Sequence, residues 1–89
     1  MKNLSIIGIG KLGLCFALTL EKAGYNVLGV DINSNYVSSV NDKSYITTEP
    51  DVNEHLAFSK NFMATTSIED AVRHSDIIFT IVATPTMPD

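Results

Sequence analysis

Tryptophan is absent from this 89-residue sequence, which also has one cysteine, three prolines and six Lys+Arg against ten Asp+Glu. A lone Cys15 cannot close a disulfide within the chain, so the expected compartment is a reducing one, the cytoplasm. The six cations are scattered at Lys2, Lys11, Lys22, Lys43, Lys60 and Arg73. Nucleic-acid binding needs clustered cations that displace counterions from phosphates, and a net charge of −4 argues against it. A basic amphipathic face for a membrane surface is missing as well. The longest apolar stretch, Ile77 to Ala83, is broken by Thr80 and falls far short of the roughly 18–20 residues that span a bilayer. Lys2 ahead of apolar residues faintly resembles a secretion signal, but Gly8, Gly10, Lys11 and Gly13 interrupt it. Repeats, low-complexity tracts and linker-like stretches are likewise lacking. At 89 residues there is room for one domain, not for a catalytic domain and a substrate domain together. A chain of this size buries only about 60–65% of the surface it exposes when unfolded, so modest stability is expected.

What is present is an alternation of two periodicities. Leu4 to Ile9 is a short β-branched apolar run ending in glycines, as a buried parallel strand does. Lys11 to Ala23 reads as a helix with Leu12, Cys15, Phe16, Thr19 and Leu20 on its apolar face and Gly24 as its left-handed stop. Asn26 to Val30 is a second strand, ending at Asp31. Asn33 or Ser34 caps a short helix carrying Tyr36, Val37 and Val40, and Asn41-Asp42-Lys43-Ser44 is turn chemistry. Thr48-Glu49-Pro50 opens a helix through Val52, Leu56 and Ala57. Phe62 to Thr65 is a weak third strand. Ser67 begins a capping box with Asp70 in the Glu position, and the helix ends near His74. Ile77 to Val82 is the fourth and most apolar strand. Buried strands alternating with helices predict an α/β fold with right-handed crossovers. The expected architecture is a Rossmann-like parallel sheet of strand order 3-2-1-4, a partial doubly wound domain. Its switch point sets the Gly8 to Gly13 loop beside the Ala83 to Thr86 loop.

Gly8-Ile9-Gly10-Lys11-Leu12-Gly13 fits the pattern G-x-G-x-x-G. The pattern alone is weak. Here it leaves a strand, opens a helix, and precedes by 23 positions an acidic residue at the end of the next strand, Asp31, close to the roughly 20 expected of a dinucleotide site. Gly8 permits the tight turn, Gly10 lets backbone approach a pyrophosphate, and Gly13 lets the helix pack on the sheet. The free N–H groups of the helix start, from Gly10 through Lys11 and Leu12 to Gly13, attract phosphate. Asp31 accepts hydrogen bonds from ribose hydroxyls and repels a 2′-phosphate, and no arginine follows it, so NAD is favoured over NADP. The bland reading is a bare strand-turn-helix corner with a loop carboxylate. Thr84-Pro85-Thr86 lies across the switch point, where a hydroxyl reaches a ribose, a phosphate or the nicotinamide end; a strand simply ended by proline is the equal alternative.

Other chemistry-bearing residues read as structural. Cys15, on the expected apolar face, is read as a buried inert thiol and not a nucleophile. His55 and His74 lack metal-ligand spacing, and His74 suits a helix C-terminus. Glu49 and Asp51 flank Pro50 as partners of a helix dipole and not as an acid/base pair.

The segments Gly8-Ile9-Gly10-Lys11-Leu12-Gly13-Leu14, Gly24-Tyr25-Asn26-Val27 and Val30-Asp31-Ile32 resemble the opening of the nucleotide-sugar 6-dehydrogenases. Thr48-Glu49-Pro50 is similar to the family's Tyr/Thr-Glu-Pro-Gly loop, and Ala83-Thr84-Pro85-Thr86 to its Val-Pro-Thr-Pro segment. The likeness covers essentially the whole chain. It departs at Asp51, where the family usually has Gly, at Ala83, where many members have Pro, and at Tyr36, where a Lys often helps bind the adenosine ribose. The resemblance implies a two-step NAD-dependent oxidation of a sugar-nucleotide C6 alcohol to a carboxylate, with UDP-glucose the expected sugar. It implies a cysteine nucleophile, a lysine and an asparagine further along, and Cys15 does not match that nucleophile. Residues 1–89 are then the N-terminal part of one NAD-binding domain, without the catalytic and C-terminal substrate domains. Gly8, Gly10 and Gly13 meet the pyrophosphate, Asp31 the ribose, and Thr84 the nicotinamide side. No catalysis is expected of the chain alone. Self-association through the fourth strand's apolar edge or the uncovered sheet face is expected, and a homo-oligomer of the parent.

Three alternatives stay open on sequence grounds: a nucleotide-sensing regulatory module of the kind that gates potassium transport, the cofactor domain of a hydroxyacyl or hydroxy-acid dehydrogenase, and a structural domain whose glycines serve only the fold.

Overall fold

The structure, a computed structural model, describes residues 2–47 and 50–81. Along them run β1 (Asn3–Ile7), α1 (Lys11–Lys22), β2 (Asn26–Val30), α2 (Ser34–Asn41), α3 (Pro50–Phe58), β3 (Phe62–Thr65), α4 (Ile68–His74) and β4 (Ile78–Thr80). The ladders are all parallel, and the sheet order is β3-β2-β1-β4, as the alternation predicts. Thr48, Glu49 and the segment 82–89, with Thr84 in it, lie outside the described residues.

Register assigns the faces. Ile6 pairs with Gly29, which pairs with Ala64, and Leu4 pairs with Val27, which pairs with Phe62. On this side Ile6, Val27 and Ala64 join Leu14, Ala17 and Leu18 of α1, Val37 and Val40 of α2, and Val52 and Leu56 of α3 in one core. Burying each large aliphatic side chain contributes about 1.5–3 kcal/mol. α4 covers the opposite face, where the buried Ser5 hydroxyl donates to the Ala71 carbonyl at 2.7 Å.

Ends and turns follow local chemistry. Gly24 takes φ 107° after α1, and the Asn33 side chain accepts from the Tyr36 N–H to cap α2. The Ser67 hydroxyl accepts from the Asp70 N–H at 3.2 Å, but the reciprocal half of the box is diverted: the Ser67 N–H goes to Thr65 Oγ1 at 3.1 Å. In the turn after α2, Lys43 takes φ 63°. Its Nζ donates to the Leu56 and Ser59 carbonyls at 2.9 and 2.8 Å, a cation on the negative end of α3.

Two sequence expectations are corrected. The face of α1 toward the sheet is Gly13, Leu14, Ala17 and Leu18, whereas Leu12 is 73% exposed and Cys15 and Thr19 are exposed too. Almost every residue from Leu12 to Leu20 is apolar or small, so periodicity leaves the helix's rotation open; the contact of Gly13 with the Gly8 carbonyl sets it. Cys15 is therefore an exposed thiol, not a buried one. The fourth strand has the open edge expected of it, but its side chains, expected to be buried, are exposed too: Ile78 and Phe79 are 37% and 38% accessible. Nothing among the described residues pairs with its outer side.

Candidate functional site

The glycine turn is held from three directions. The Gly8 and Ile9 N–H groups both donate to the Val30 carbonyl, at 2.8 and 3.2 Å, so the turn is fastened to the end of β2. Gly8 itself has φ 95°, a left-handed conformation that a side chain disfavours. A Cβ there would also lie 2.3 Å from the Ile81 carbonyl oxygen just past β4. A Cβ on Gly13 would lie 2.0 Å from the Gly8 carbonyl oxygen, which is how closely α1 descends on the strand.

Gly10 differs from both. It is the N-cap of α1, with extended ψ, and no side chain caps it. Among the described residues a Cβ built on it meets nothing within 4 Å. The first turn of α1 contains no acidic residue, so among the described residues no side chain there compensates its N–H groups and positive dipole end. Backbone donors, a positive helix end and room for a bulky anion are what a pyrophosphate requires.

Asp31 follows Val30 directly, and the bonds to the Val30 carbonyl therefore bring carboxylate and turn into one corner. Its own N–H donates to the Thr65 carbonyl of β3 at 3.1 Å. Carboxylate Oδ1 accepts the Asn33 N–H at 3.0 Å, and Asn33 Oδ1 accepts the Tyr36 N–H at 3.1 Å. The Tyr36 hydroxyl donates back to the Ile9 carbonyl at 2.5 Å, and its ring meets Tyr45 edge to face at 5.0 Å between centroids. Burial, with Tyr45 and Asp31 adding smaller repulsions, pushes the Tyr36 phenol above its ordinary value. Facing a carbonyl, which can only accept, the hydroxyl is the donor of this bond.

Of the residues expected from sequence, Gly8, Gly10, Lys11, Leu12 and Gly13 form this one turn, and Asp31 stands beside it. Thr84 lies outside the described residues. Sequence reasoning missed Gly29, where a Cβ would lie 2.5 Å from Ile9 Cγ2; a lone glycine inside a strand run is the signal for such close approach. It placed Tyr36 on the short second helix and as a departure from a pattern, and the hydroxyl's bond to the turn is new. A groove of about 690 Å³ at the opposite end of α1, between Glu21, Lys22, Asp51, Glu54, His55 and Phe58, has no part in this corner. His74 Nε2 lies 3.0 Å from the Asn26 carbonyl, a structural contact. Among the described residues no three of His, Cys, Asp and Glu gather as metal ligands, and no helix is long and apolar enough to cross a membrane.

The family model for the NAD-binding domain of UDP-glucose/GDP-mannose dehydrogenases matches residues 2–89. The chain belongs to this family. Within the family it is similar to the GDP-mannose dehydrogenase of Pseudomonas aeruginosa, at 31% identity and TM-score 0.85 over 94% of this chain and 20% of that one. It is similar to the UDP-glucose dehydrogenase of Pyrobaculum islandicum, at 30% identity and TM-score 0.87 over all of this chain and 21% of that one. A third likeness is to the UDP-N-acetyl-mannosamine dehydrogenase of Staphylococcus aureus, at 30% identity and TM-score 0.76 over 99% of this chain and 21% of that one. The chain thus spans about a fifth of the length of these relatives. Family membership makes NAD the cofactor and decides against the regulatory and hydroxy-acid alternatives. These three relatives are named for three different nucleotide sugars at near-equal identities to this chain.

Proposed function

We propose that residues 1–89 are the N-terminal part of the NAD-binding domain of a longer nucleotide-sugar 6-dehydrogenase, whose catalytic and substrate-binding domains lie outside this chain. Gly8 makes the turn, the N–H groups of Gly10, Lys11, Leu12 and Gly13 receive the pyrophosphate, and Asp31 takes the adenosine ribose hydroxyls. Thr84 is assigned to the nicotinamide side. The observation that carries this reading is the uncapped, unobstructed Gly10 at the head of a twelve-residue helix, tied through Val30 to the carboxylate-bearing strand end. NAD supplies the hydride acceptor; the chain's own part is to bind and orient it. Asp31 excludes NADP, since none of the next five residues carries a positive charge to meet a 2′-phosphate.

The test is a titration of NAD and NADP followed by backbone amide resonances. Shifts at Gly10 to Gly13 and around Asp31 with NAD, much weaker with NADP, are the expected result. Silence toward both at millimolar ligand would overturn the site.

The parent enzyme then oxidises a nucleotide-sugar C6 alcohol to the carboxylate in two NAD-dependent steps. UDP-glucose is the first substrate to try, beside GDP-mannose and UDP-N-acetylmannosamine. Inertness of the parent toward all three would refute this assignment. The scarcity of cysteine supports a cytoplasmic location. The apolar outer edge of β4 supports self-association of this chain, and a homo-oligomer is proposed for the parent.

A further inference from the structure

We infer that Tyr36 is a positioning residue of the cofactor turn: its hydroxyl holds the Ile9 carbonyl so that the Gly10 N–H faces the pyrophosphate. The inference rests on the proposed NAD site and adds to it a residue that does not itself touch the cofactor.

Peptide-plane geometry couples the two groups. The Ile9–Gly10 bond is trans, as are all described peptide bonds, so the Ile9 C=O and the Gly10 N–H point in opposite directions. Whatever anchors the carbonyl aims the N–H. The preceding plane is fixed by the Ile9 N–H on the Val30 carbonyl at 3.2 Å, and the following one by the Leu14 N–H on the Gly10 carbonyl at 2.8 Å. Between them the Ile9 carbonyl is held by the Tyr36 hydroxyl at 2.5 Å. The Gly10 N–H has no acceptor among the described residues and lies where nothing approaches within 4 Å of a built Cβ. The Ile9 side chain is fully buried against Gly29, which stops the residue from following a rotated peptide.

The hydroxyl is held as firmly as the carbonyl it anchors. Tyr36 is half-buried against Tyr45, and its N–H is taken by the Asn33 cap, whose own N–H is taken by Asp31. A run of three hydrogen bonds therefore links the ribose-binding carboxylate to the phosphate-binding turn. With its proton retained and committed to Ile9, the hydroxyl buttresses the turn and does not serve the ribose.

The decisive variant is Tyr36→Phe, which keeps the ring and its contact with Tyr45. Binding of NAD, ADP and adenosine is measured by amide shifts on the wild-type chain and the variant. Freeing the Ile9–Gly10 peptide to rotate predicts about five- to tenfold weaker NAD and ADP, with adenosine affinity little changed and the melting temperature lowered by about 4–8 °C, the stability share of one hydrogen bond. Equal losses for all three ligands would mean a merely structural tyrosine, and undiminished NAD binding would also overturn the inference. A wild-type chain that ignores NAD defeats the site reading itself; a binding wild type with an unchanged variant defeats only this step. Should the variant fail to fold, the wild-type chain still decides. On saturation with NAD the Gly10 amide is expected to shift while the Ile9 carbonyl keeps its hydrogen-bonded carbon shift. Release of that carbonyl, with Tyr36 moving onto the nucleotide, would sink the proposal.

Discussion

The two edges of this sheet are finished in opposite ways. At β3 the backbone that faces outward is clasped by a side chain: Asn41 Nδ2 donates to the Ala64 carbonyl, and Asn41 Oδ1 accepts the Ala64 N–H, both at 2.8 Å. One amide thus stands in for the next strand. Just before it, a Glu21 carboxylate oxygen accepts the Lys60 and Asn61 N–H groups at 3.2 Å each. At β4 nothing comparable occurs among the described residues. Ile77, Ile78 and Phe79 are 44%, 37% and 38% exposed, and Ile68 and Val72 on neighbouring α4 are 54% and 56% exposed. A polar clasp ends a sheet, because it satisfies the edge groups and leaves nothing to template. An apolar open edge invites continuation. The cofactor corner spans the sheet between them: a Cβ at Gly8 would strike the Ile81 carbonyl just past β4, and the Asp31 N–H donates to the Thr65 carbonyl at the end of β3.

The largest expected effect strikes between the two edges, where α1 packs on the sheet. Gly13→Ala places a Cβ 2.0 Å from the Gly8 carbonyl oxygen, a backbone atom that cannot swing aside. Alanine's better helix propensity returns about 1 kcal/mol, but forcing α1 off the sheet costs about 3 kcal/mol. The collision wins, and a chemical denaturation curve should show the loss of a large share of the stability such a chain has. A variant as stable as wild type would mean that α1 can be lifted cheaply and that the turn is not close-packed.

Next comes the closed edge alone. Asn41→Ala leaves the Ala64 N–H and C=O without their partner, at a cost of about 1–3 kcal/mol. It also creates a second free edge, so sedimentation should show more self-association than wild type at equal concentration. Stability lost without added association would mean that the clasp braces α2 against β3 and does not guard the edge.

The open edge is tested in the reverse sense. Ile78→Lys puts a charge on the exposed strand and should turn a self-associating chain monomeric, while stability changes by about 0.5 kcal/mol. A wild-type chain that sediments as a monomer when dilute would already defeat the idea of association through β4.

This contrast also explains what the sequence made legible. The strand order, the glycine turn and Asp31 could be read because each rests on local pattern: short β-branched runs, fixed glycine spacing, an acidic residue at a strand end. The Asn33 cap was legible for the same reason. The rotation of α1 was not, since Leu12-Phe16-Leu20 and Leu14-Leu18 are rival stripes in one apolar helix. The choice between them is made by Gly13 against a carbonyl five residues back, and it moved Cys15 to the surface. Asn41 and Tyr36 were hidden for another reason. Their partners lie 23 and 27 positions away, and no periodicity announces a polar side chain that reaches backbone across the fold. The burial of β4 was misjudged because apolar composition tells that a strand seeks cover, not that cover is at hand.

The smallest expected effect separates the edges by pH. Asp42, next to the clasp, accepts the Ser44 N–H at 3.0 Å, and hydrogen bonds from Ser44 hold its carboxyl below the ordinary value of 3.8. A carboxyl whose folded value is depressed gives its stabilisation in full above its unfolded value and loses it as pH falls through the folded one. The window is therefore acidic, beginning near 3.8 and extending below it. Asp42 is fully exposed, so solvent screens the effect to a small one. In Asp42→Asn the bond no longer depends on protonation, so the stability gap between wild type and variant should narrow as pH is lowered from 5 toward 3. Amide shifts of Ser44 and Ala64 should move together over that range, with β4 resonances unmoved. If the β4 shifts track the same titration, the two edges are coupled through the sheet, and the closed edge is not an independent terminus.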